Sequence, residues 1–205
     1  MAIRRGEAWG APGPLPDGAV VVRSDAEARA ALEAARRSRQ PLPALGLLGG
    51  DLCRTLGGRG DEDRLRSGEA LVAPIDLGEA LVDGRIHLFV AHCVLRGRSW
   101  WRGRIVAAMN AQFVGGWDVA PRSHPNDGRL DVLEVPAAFG FSDRWKARTR
   151  LPSGTHVPHP SIDERRVPAV QLDAGGLDVW LDGVRIGPAK TLSLRLEPDA
   201  LTVVV

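Results

Sequence analysis

A chain of 205 residues can bury a sizeable core as one domain, or as one domain with a smaller appendage. Its 27 basic and 25 acidic residues leave a net charge of +2, too little for a nucleic-acid-binding stripe or a strongly cationic membrane surface. Cys53 and Cys93 lie far apart with no CxxC spacing and read as free thiols, and the longest apolar run, around "HLFVAHCVL", falls far short of a transmembrane segment, so the expectation is a soluble, cytoplasmic protein.

Residues 1–18 carry four glycines and three prolines without periodicity and read as a flexible lead-in. "AVVVRSDAEARAALEAARRSRQ" then gives a short β-branched strand and a helix whose start is marked by Ser24 with Glu27 three residues on, a capping box. Ala28, Ala31, Leu32 and Ala35 form the apolar face of that helix. "PALGLLGGDLCRTLGG" supplies a second strand, a glycine turn and a helix opening near Asp51. This β-α-β-α order predicts a small piece of parallel sheet. From about residue 76 the texture changes to short strands, "GRIHLFVAHCVL", "RIVAAMNAQFV", "GRLDVLEV", "VPAVQLD", "LDVWLDG", "TLSLRL" and "LTVVV". Punctuation by "DG", "GG" and "GP" is the pattern of an antiparallel sandwich or barrel. One helix interrupts it, "FSDRWKARTRL", opening at Ser142 and ending before Pro152.

Chemistry-bearing residues gather at few places. In "NDGRLDVLEV" Asp127 and Asp131 stand where a buried strand begins. An Asp-Gly pair there is an ordinary hairpin signal. Two carboxylates facing one point, with a backbone carbonyl between them, also form a hard-oxygen site suited to Mg²⁺. Asp182-Gly183 is likewise a hairpin on spacing alone. Gly49-Gly50 ahead of a helix would suit an anion at the helix N-terminus, whereas Asp51 in the same place reads as an N-cap that repels phosphate unless a metal intervenes. His156 and His159 form a His-x-x-His in a Pro-rich loop without further zinc ligands, and the six tryptophans, "SWW" at 99–101 among them, read as core or interface anchors.

Taken together and in order, the segments resemble the diacylglycerol kinase catalytic family, bacterial lipid kinases related to sphingosine and NAD kinases. "WDVAPRSHPNDGRLDVLEV" is similar to the family's proline-alanine stretch followed by "DG-x-LDV", and "LPSGTHVPHPSIDERRVPAVQLD" to its "G-x-H…HP-x-V" segment. "VWLDGVRIGPAKTLSLRLEPDALTVVV" resembles its closing "DGE" turn and last strands, and "LGLLGGDLCRTLG" with "PIDLG" resembles its "GT-x-ND-x-AR-x-LG" helix and "DLG" strand. The resemblance runs from about residue 44 to the C-terminus. It implies a structural Mg²⁺ held by Asp127, Asp131 and a carbonyl near Leu130, catalytic roles for Asp51 and Asp182, and nucleotide contacts at Gly49 and Gly50. The implied reaction is in-line transfer of the ATP γ-phosphoryl group to the hydroxyl of a diacylglycerol-like lipid.

Two departures qualify that reaction. Val184 stands where the family's "DGE" has its glutamate, a candidate base, and the glycine-rich "GGDGT" that cradles nucleotide phosphates is absent. The residues ahead of residue 44 are too few for a whole nucleotide-binding half. The expected fold class is therefore α+β, with the lead-in over 1–18, a truncated α/β domain over 19–75 and an antiparallel β-sandwich over 76–205. The expected activity is that of an impaired or inactive lipid kinase, or of a non-catalytic lipid- or protein-binding module of the same fold. A second copy or a partner chain would supply the missing half, nucleic acid is not a partner, and contact with the membrane is peripheral.

Overall fold

The computed structural model describes residues 9–205. Residues 1–8 of the expected lead-in lie outside the described residues. In chain order the elements are β1 (Ala11–Pro12), β2 (Val20–Val22), α1 (Asp25–Arg37), β3 (Leu45–Leu47), α2 (Asp51–Thr55), α3 (Glu62–Arg66), β4 (Leu71–Val82), β5 (Arg85–Phe89), β6 (His92–Arg96), β7 (Ile105–Met109), β8 (Phe113–Val114) and β9 (Trp117–Asp118). They continue as β10 (Leu130–Val135), α4 (Phe141–Arg150), β11 (Asp163–Val167), β12 (Ala169–Asp173), β13 (Asp178–Leu181), β14 (Val184–Pro188) and β15 (Thr191–Val204). The α+β class and the C-terminal sandwich expected from the sequence are what the chain forms.

The N-terminal elements follow their local chemistry. Ser24 Oγ accepts from Glu27 N at 3.2 Å, the N-cap the sequence predicts, while the Glu27 carboxylate takes Arg23 N at 2.8 Å, one residue ahead of the cap. Helix α1 buries Ala28 and Leu32 against Leu45 and Leu47 of β3, and β3 lies parallel to β2. The described part of the lead-in is tied down, since Trp9 Nε1 donates to Pro74 O at 2.9 Å and β1 pairs with β4.

Among the described residues two large sheets face each other. The first runs β1-β4-β15-β3-β2, with β5 on β4 and β12 on β15; the second runs β11-β10-β7-β6-β13-β14. Alternation along the strands sends Val106 and Ala108 of β7, with Cys93 and Leu95 of β6, inward against Val82, Leu192 and Leu194 of the first sheet. The other face of the second sheet is apolar too, with Val94, Ile105, Ala107, Met109 and Leu133 packed beneath Phe139 and Ile162. Strand β7 is therefore buried on both faces.

Three features depart from a strand-by-strand reading. Strand β4 runs straight through the expected 75/76 boundary, and β15 pairs antiparallel with β4 and parallel with β3 through Val203↔Leu45. The small parallel piece is thus an extension of the first sheet, because "LTVVV" is apolar enough to be covered on both sides. "TLSLRL" and "LTVVV" form one strand with a bulge between Glu197 and Leu201, where Asp199 has φ 55°. "HLFVAHCVL" forms two strands, because the chain steps from the first sheet to the second at Val90-Ala91.

Candidate functional site

That step between sheets is held by Asp182. In the β13–β14 turn Asp182 and Gly183 have φ of 50° and 80°, the left-handed pair that an Asp-Gly hairpin uses. The turn aims the carboxylate inward. It accepts from Val90 N at 3.0 Å, Ala91 N at 2.9 Å and His92 N at 3.2 Å, so one side chain satisfies three buried donors that the break in the strand would otherwise orphan. Burial raises its pKa, against the pull of His92 and those three N–H groups. Val184, at the family's glutamate position, follows on the exposed side of the turn.

Asp51, at the first position of α2, is reached from two other elements. Its carboxylate accepts from Gly115 N at 2.9 Å and from His92 Nε2 at 3.0 Å, and Arg54 of the same helix donates to Gly115 O at 2.9 Å. These bonds clip the β8–β9 hairpin over α2. His92 is buried; desolvation alone would lower its pKa, but the bond to Asp51 and the charges of Asp182, Asp51 and Asp25 raise it overall. Burial would raise the pKa of Asp51, and His92 and Gly115 hold it below the usual carboxylate range. The two directions both favour the charged forms of this pair.

Gly49 and Gly50 face the chain's own α1. A Cβ on Gly49 would collide with Arg23 O, and one on Gly50 would meet Asp25 Oδ1 at 2.5 Å. The Asp25 carboxylate accepts from Asp51 N at 2.5 Å and Leu52 N at 3.2 Å, the donors that a phosphate at this helix start would need. An internal carboxyl group occupies the donors where the glycine turn would otherwise admit an anion. Burial and the neighbouring Asp182 push the Asp25 pKa up to about 7. Residues this close do not fit a nucleotide phosphate at Gly50. Sequence reasoning saw Asp25 only as part of a helix start; it gains its partners from residues more than twenty positions away.

Asp127 and Asp131 come together, around a guanidinium. The β10–β11 register places Arg166 opposite Asp131, a cross-strand pair of opposite charge. Arg166 Nε lies 3.1 Å from Asp131 Oδ1, and its Nη2 bonds Asp127 Oδ2. The other Asp127 oxygen takes Arg129 N at 2.9 Å, closing a local turn. Leu130 between them is fully buried in the sandwich core. Among the described residues no group of three or more His, Cys, Asp or Glu side chains is arranged to hold a metal ion, and a divalent cation between Asp127 and Asp131 would have to displace Arg166. The nearby Asp76, from "PIDLG", ties this turn to the β15 bulge, accepting from Gly128 N at 2.6 Å and Asp199 N at 3.1 Å.

The second sheet's outer face carries an apolar cavity of about 110 Å³ beneath α4, walled by Trp100, Trp101, Trp117, Leu133, Phe139 and Ile162. Its few polar side chains are specific. Arg144 donates to Phe139 O, Trp100 O, Gly103 O and Pro136 O, which binds α4 to the loops around the cavity through carbonyls alone. Arg148 lies 5.4 Å from the Trp101 ring centre and 5.1 Å from that of Trp117. His156, 4% exposed, lines the cavity, and burial lowers its pKa against the opposing pull of the Val119 backbone and the Asp118 charge. His159 does not join it; it packs edge-on against Phe139.

The fold has known relatives. The family described as the YegS C-terminal NAD kinase beta sandwich-like domain matches residues 82–205. Three solved structures from Bacillus anthracis str. Sterne that carry the name diacylglycerol kinase superpose on the chain. One is 13% identical with a TM-score of 0.61, over 89% of this chain and 83% of its own. A second is 14% identical with a TM-score of 0.59, over 79% and 69%, and a third is 15% identical with a TM-score of 0.55, over 79% and 66%. No curated protein matches the sequence. At such identities the superpositions speak for fold alone. The facing sheets, the closing Asp-Gly hairpin that pins their crossover and the match over 82–205 agree: the chain belongs to the family of the YegS C-terminal NAD kinase beta sandwich-like domain, on a diacylglycerol kinase-like fold.

Proposed function

We propose that this chain is a lipid-binding module of the diacylglycerol kinase-like fold that takes a diacylglycerol-type acyl chain into the cavity beneath α4 and transfers no phosphoryl group on its own. The observation that carries the second half is Asp25. Its side chain already caps the donors at Asp51 N and Leu52 N, so a phosphate of ATP would have to displace it from them. Asp182 has both oxygens committed to backbone donors, and Val184 cannot accept a proton. The first half rests on the cavity. Its walls are aromatic and aliphatic, and the buried imidazole of His156 offers one polar anchor for a hydroxyl or ester carbonyl. Ligand pockets that hold whole drug-sized molecules run to roughly 300 Å³ or more. One acyl chain end therefore fits and a whole two-chain lipid does not.

The test combines two measurements on the pure chain. With ATP, Mg²⁺ and diacylglycerol micelles no phosphatidic acid is expected, and calorimetry with ATP is expected to show no binding heat. A soluble short-chain diacylglycerol is expected to quench tryptophan emission in the native chain and about tenfold less well in Ala107→Trp, which fills the cavity. Robust turnover would return the chain to the lipid kinases. Equal quenching of both proteins would remove the cavity as the lipid site.

Magnesium enters the same reading. With Arg166 bridging Asp127 and Asp131, Mg²⁺ is expected to leave the melting temperature of the native chain unchanged and to raise that of Arg166→Ala by a few degrees, as the two freed carboxylates gain a counter-charge. A rise in the native chain that Asp131→Asn abolishes would mean that the cation displaces the guanidinium.

A further inference from the structure

Helix α4 covers the cavity, and its outer surface is unusual for a solvent-facing helix. Phe141 is 66% exposed and Trp145 56%, and four residues apart they share one face. Both rings meet Trp101, Phe141 at 5.2 Å and Trp145 stacked at 6.0 Å between centroids. An isolated exposed apolar residue needs no explanation, but a contiguous aromatic trio marks a surface that something covers. Charge says what. In α4 the one acidic residue, Asp143, stands against Arg144, Lys146, Arg148 and Arg150, and of these only Arg144 is buried. Arg98 and Arg102, on the loop that carries Trp101, are exposed as well. The near-zero total charge of the chain conceals this local concentration.

We infer that the Phe141–Trp145–Trp101 face of α4 docks on an anionic phospholipid bilayer, with Lys146, Arg148, Arg150 and Arg102 at the headgroups. Tryptophan and phenylalanine insert at the depth where an apolar ring meets polar headgroups, and arginine and lysine beside them add attraction to anionic lipid. A second copy of the chain would bring two cationic rims together, which disfavours self-association as the cover. The inference rests on the proposed acyl-chain site and extends it. Trp101 belongs both to the docking trio and to the cavity wall, so a docked α4 opens the cavity towards the bilayer, and the part of the lipid that the cavity cannot hold stays there.

Sedimentation with vesicles tests it, using phosphatidylcholine alone and phosphatidylcholine mixed with phosphatidylglycerol. Binding is expected to be at least tenfold stronger on the mixed vesicles, to weaken with added salt, and to shift Trp145 emission to the blue. Phe141→Ser with Trp145→Ser is expected to lower it more than tenfold, and Lys146→Gln or Arg150→Gln about fivefold each. None of these four side chains lines the cavity, so quenching by soluble short-chain diacylglycerol is expected to be unchanged in every variant. Loss of quenching in the native chain with vesicle binding intact would count against the cavity and not against the docking face. Equal partition onto both vesicles, or undiminished binding by the double variant, would overturn the docking surface. So would a dimer that the double variant dissolves in the absence of vesicle binding.

Discussion

Asp182→Ala is expected to lower the stability of the chain by about 5 kcal/mol, since each buried donor left without an acceptor costs roughly 1–3 kcal/mol and three lose theirs at once. For a chain of this size that is a fall of about 10–20 °C in melting temperature. The damage is local in origin and global in effect. Val90, Ala91 and His92 form the step by which β5 of the first sheet becomes β6 of the second, one of several crossings between the sheets, so loosening them weakens the contact between the two layers. Asp182→Asn is expected to lose about half as much. An amide oxygen at the Oδ1 position keeps Ala91 N and His92 N, while the amide nitrogen opposes Val90 N, donor against donor. Thermal melts of the three proteins check this. A catalytic carboxylate free of structural duty would leave the melting temperature unchanged in both variants, and that result would reject Asp182 as the pin between the sheets.

The second large effect is on pH. Asp25, whose pKa is pushed up to about 7 by burial and by Asp182, and Asp76, pushed up to about 6 by burial, have folded values above the 3.8 of an unperturbed aspartate. A raised carboxyl pKa means that the folded chain holds a proton which the unfolded chain has released. Stability from these groups is therefore greatest in mild acid and declines as pH rises from about 4 through 7. For Asp25 alone the change is on the order of 4 kcal/mol. His92 acts in the same direction, because its pKa is raised and its contribution fades as pH climbs through the folded value. Asp51 and Glu79, with lowered values, set the acid limit by losing their pairing as pH falls. The melting temperature is expected to peak near about pH 5 and to have fallen by several degrees at about pH 8. Asp25→Asn, which cannot ionise, is expected to flatten that decline. A melting temperature that rises from about pH 5 to pH 8 would contradict the cost that burial puts on ionising these carboxyls.

How much of this could be read from the chain follows from the range of each interaction. The cap of α1 at Ser24, the Asp-Gly turn at 182–183, the strand in "GRLDVLEV" and the helix over "FSDRWKARTRL" are set within a few residues, and they stand within two residues of where the sequence puts them, whereas "RIVAAMNAQFV" divides into β7 and β8. The order of the motifs was legible for the same reason, and with it the family. β11 was missed because "DERRV" lies on the exposed edge of its sheet and carries no apolar face to announce it. The sites were less legible. Asp127 and Asp131 read as a pair suited to a cation. Only the register of β11 on β10, more than thirty residues downstream, decides that the cation between them is Arg166. Asp51 read as a helix cap and, by resemblance, as a catalytic residue, and its partners His92 and Gly115 come from other elements. Asp25 blocks Gly50 because α1 and α2 start side by side on parallel strands, which no local pattern records.

By itself, then, the sequence determined most of the elements, their turns and the α+β class, because propensity, capping and alternation act over neighbours in the chain. Tertiary structure decided what the carboxylates do, where positive charge collects and that an apolar cavity lies behind α4. Those properties belong to groups brought together from distant segments, and burial, which sets their energies, exists only once the two sheets have closed on each other.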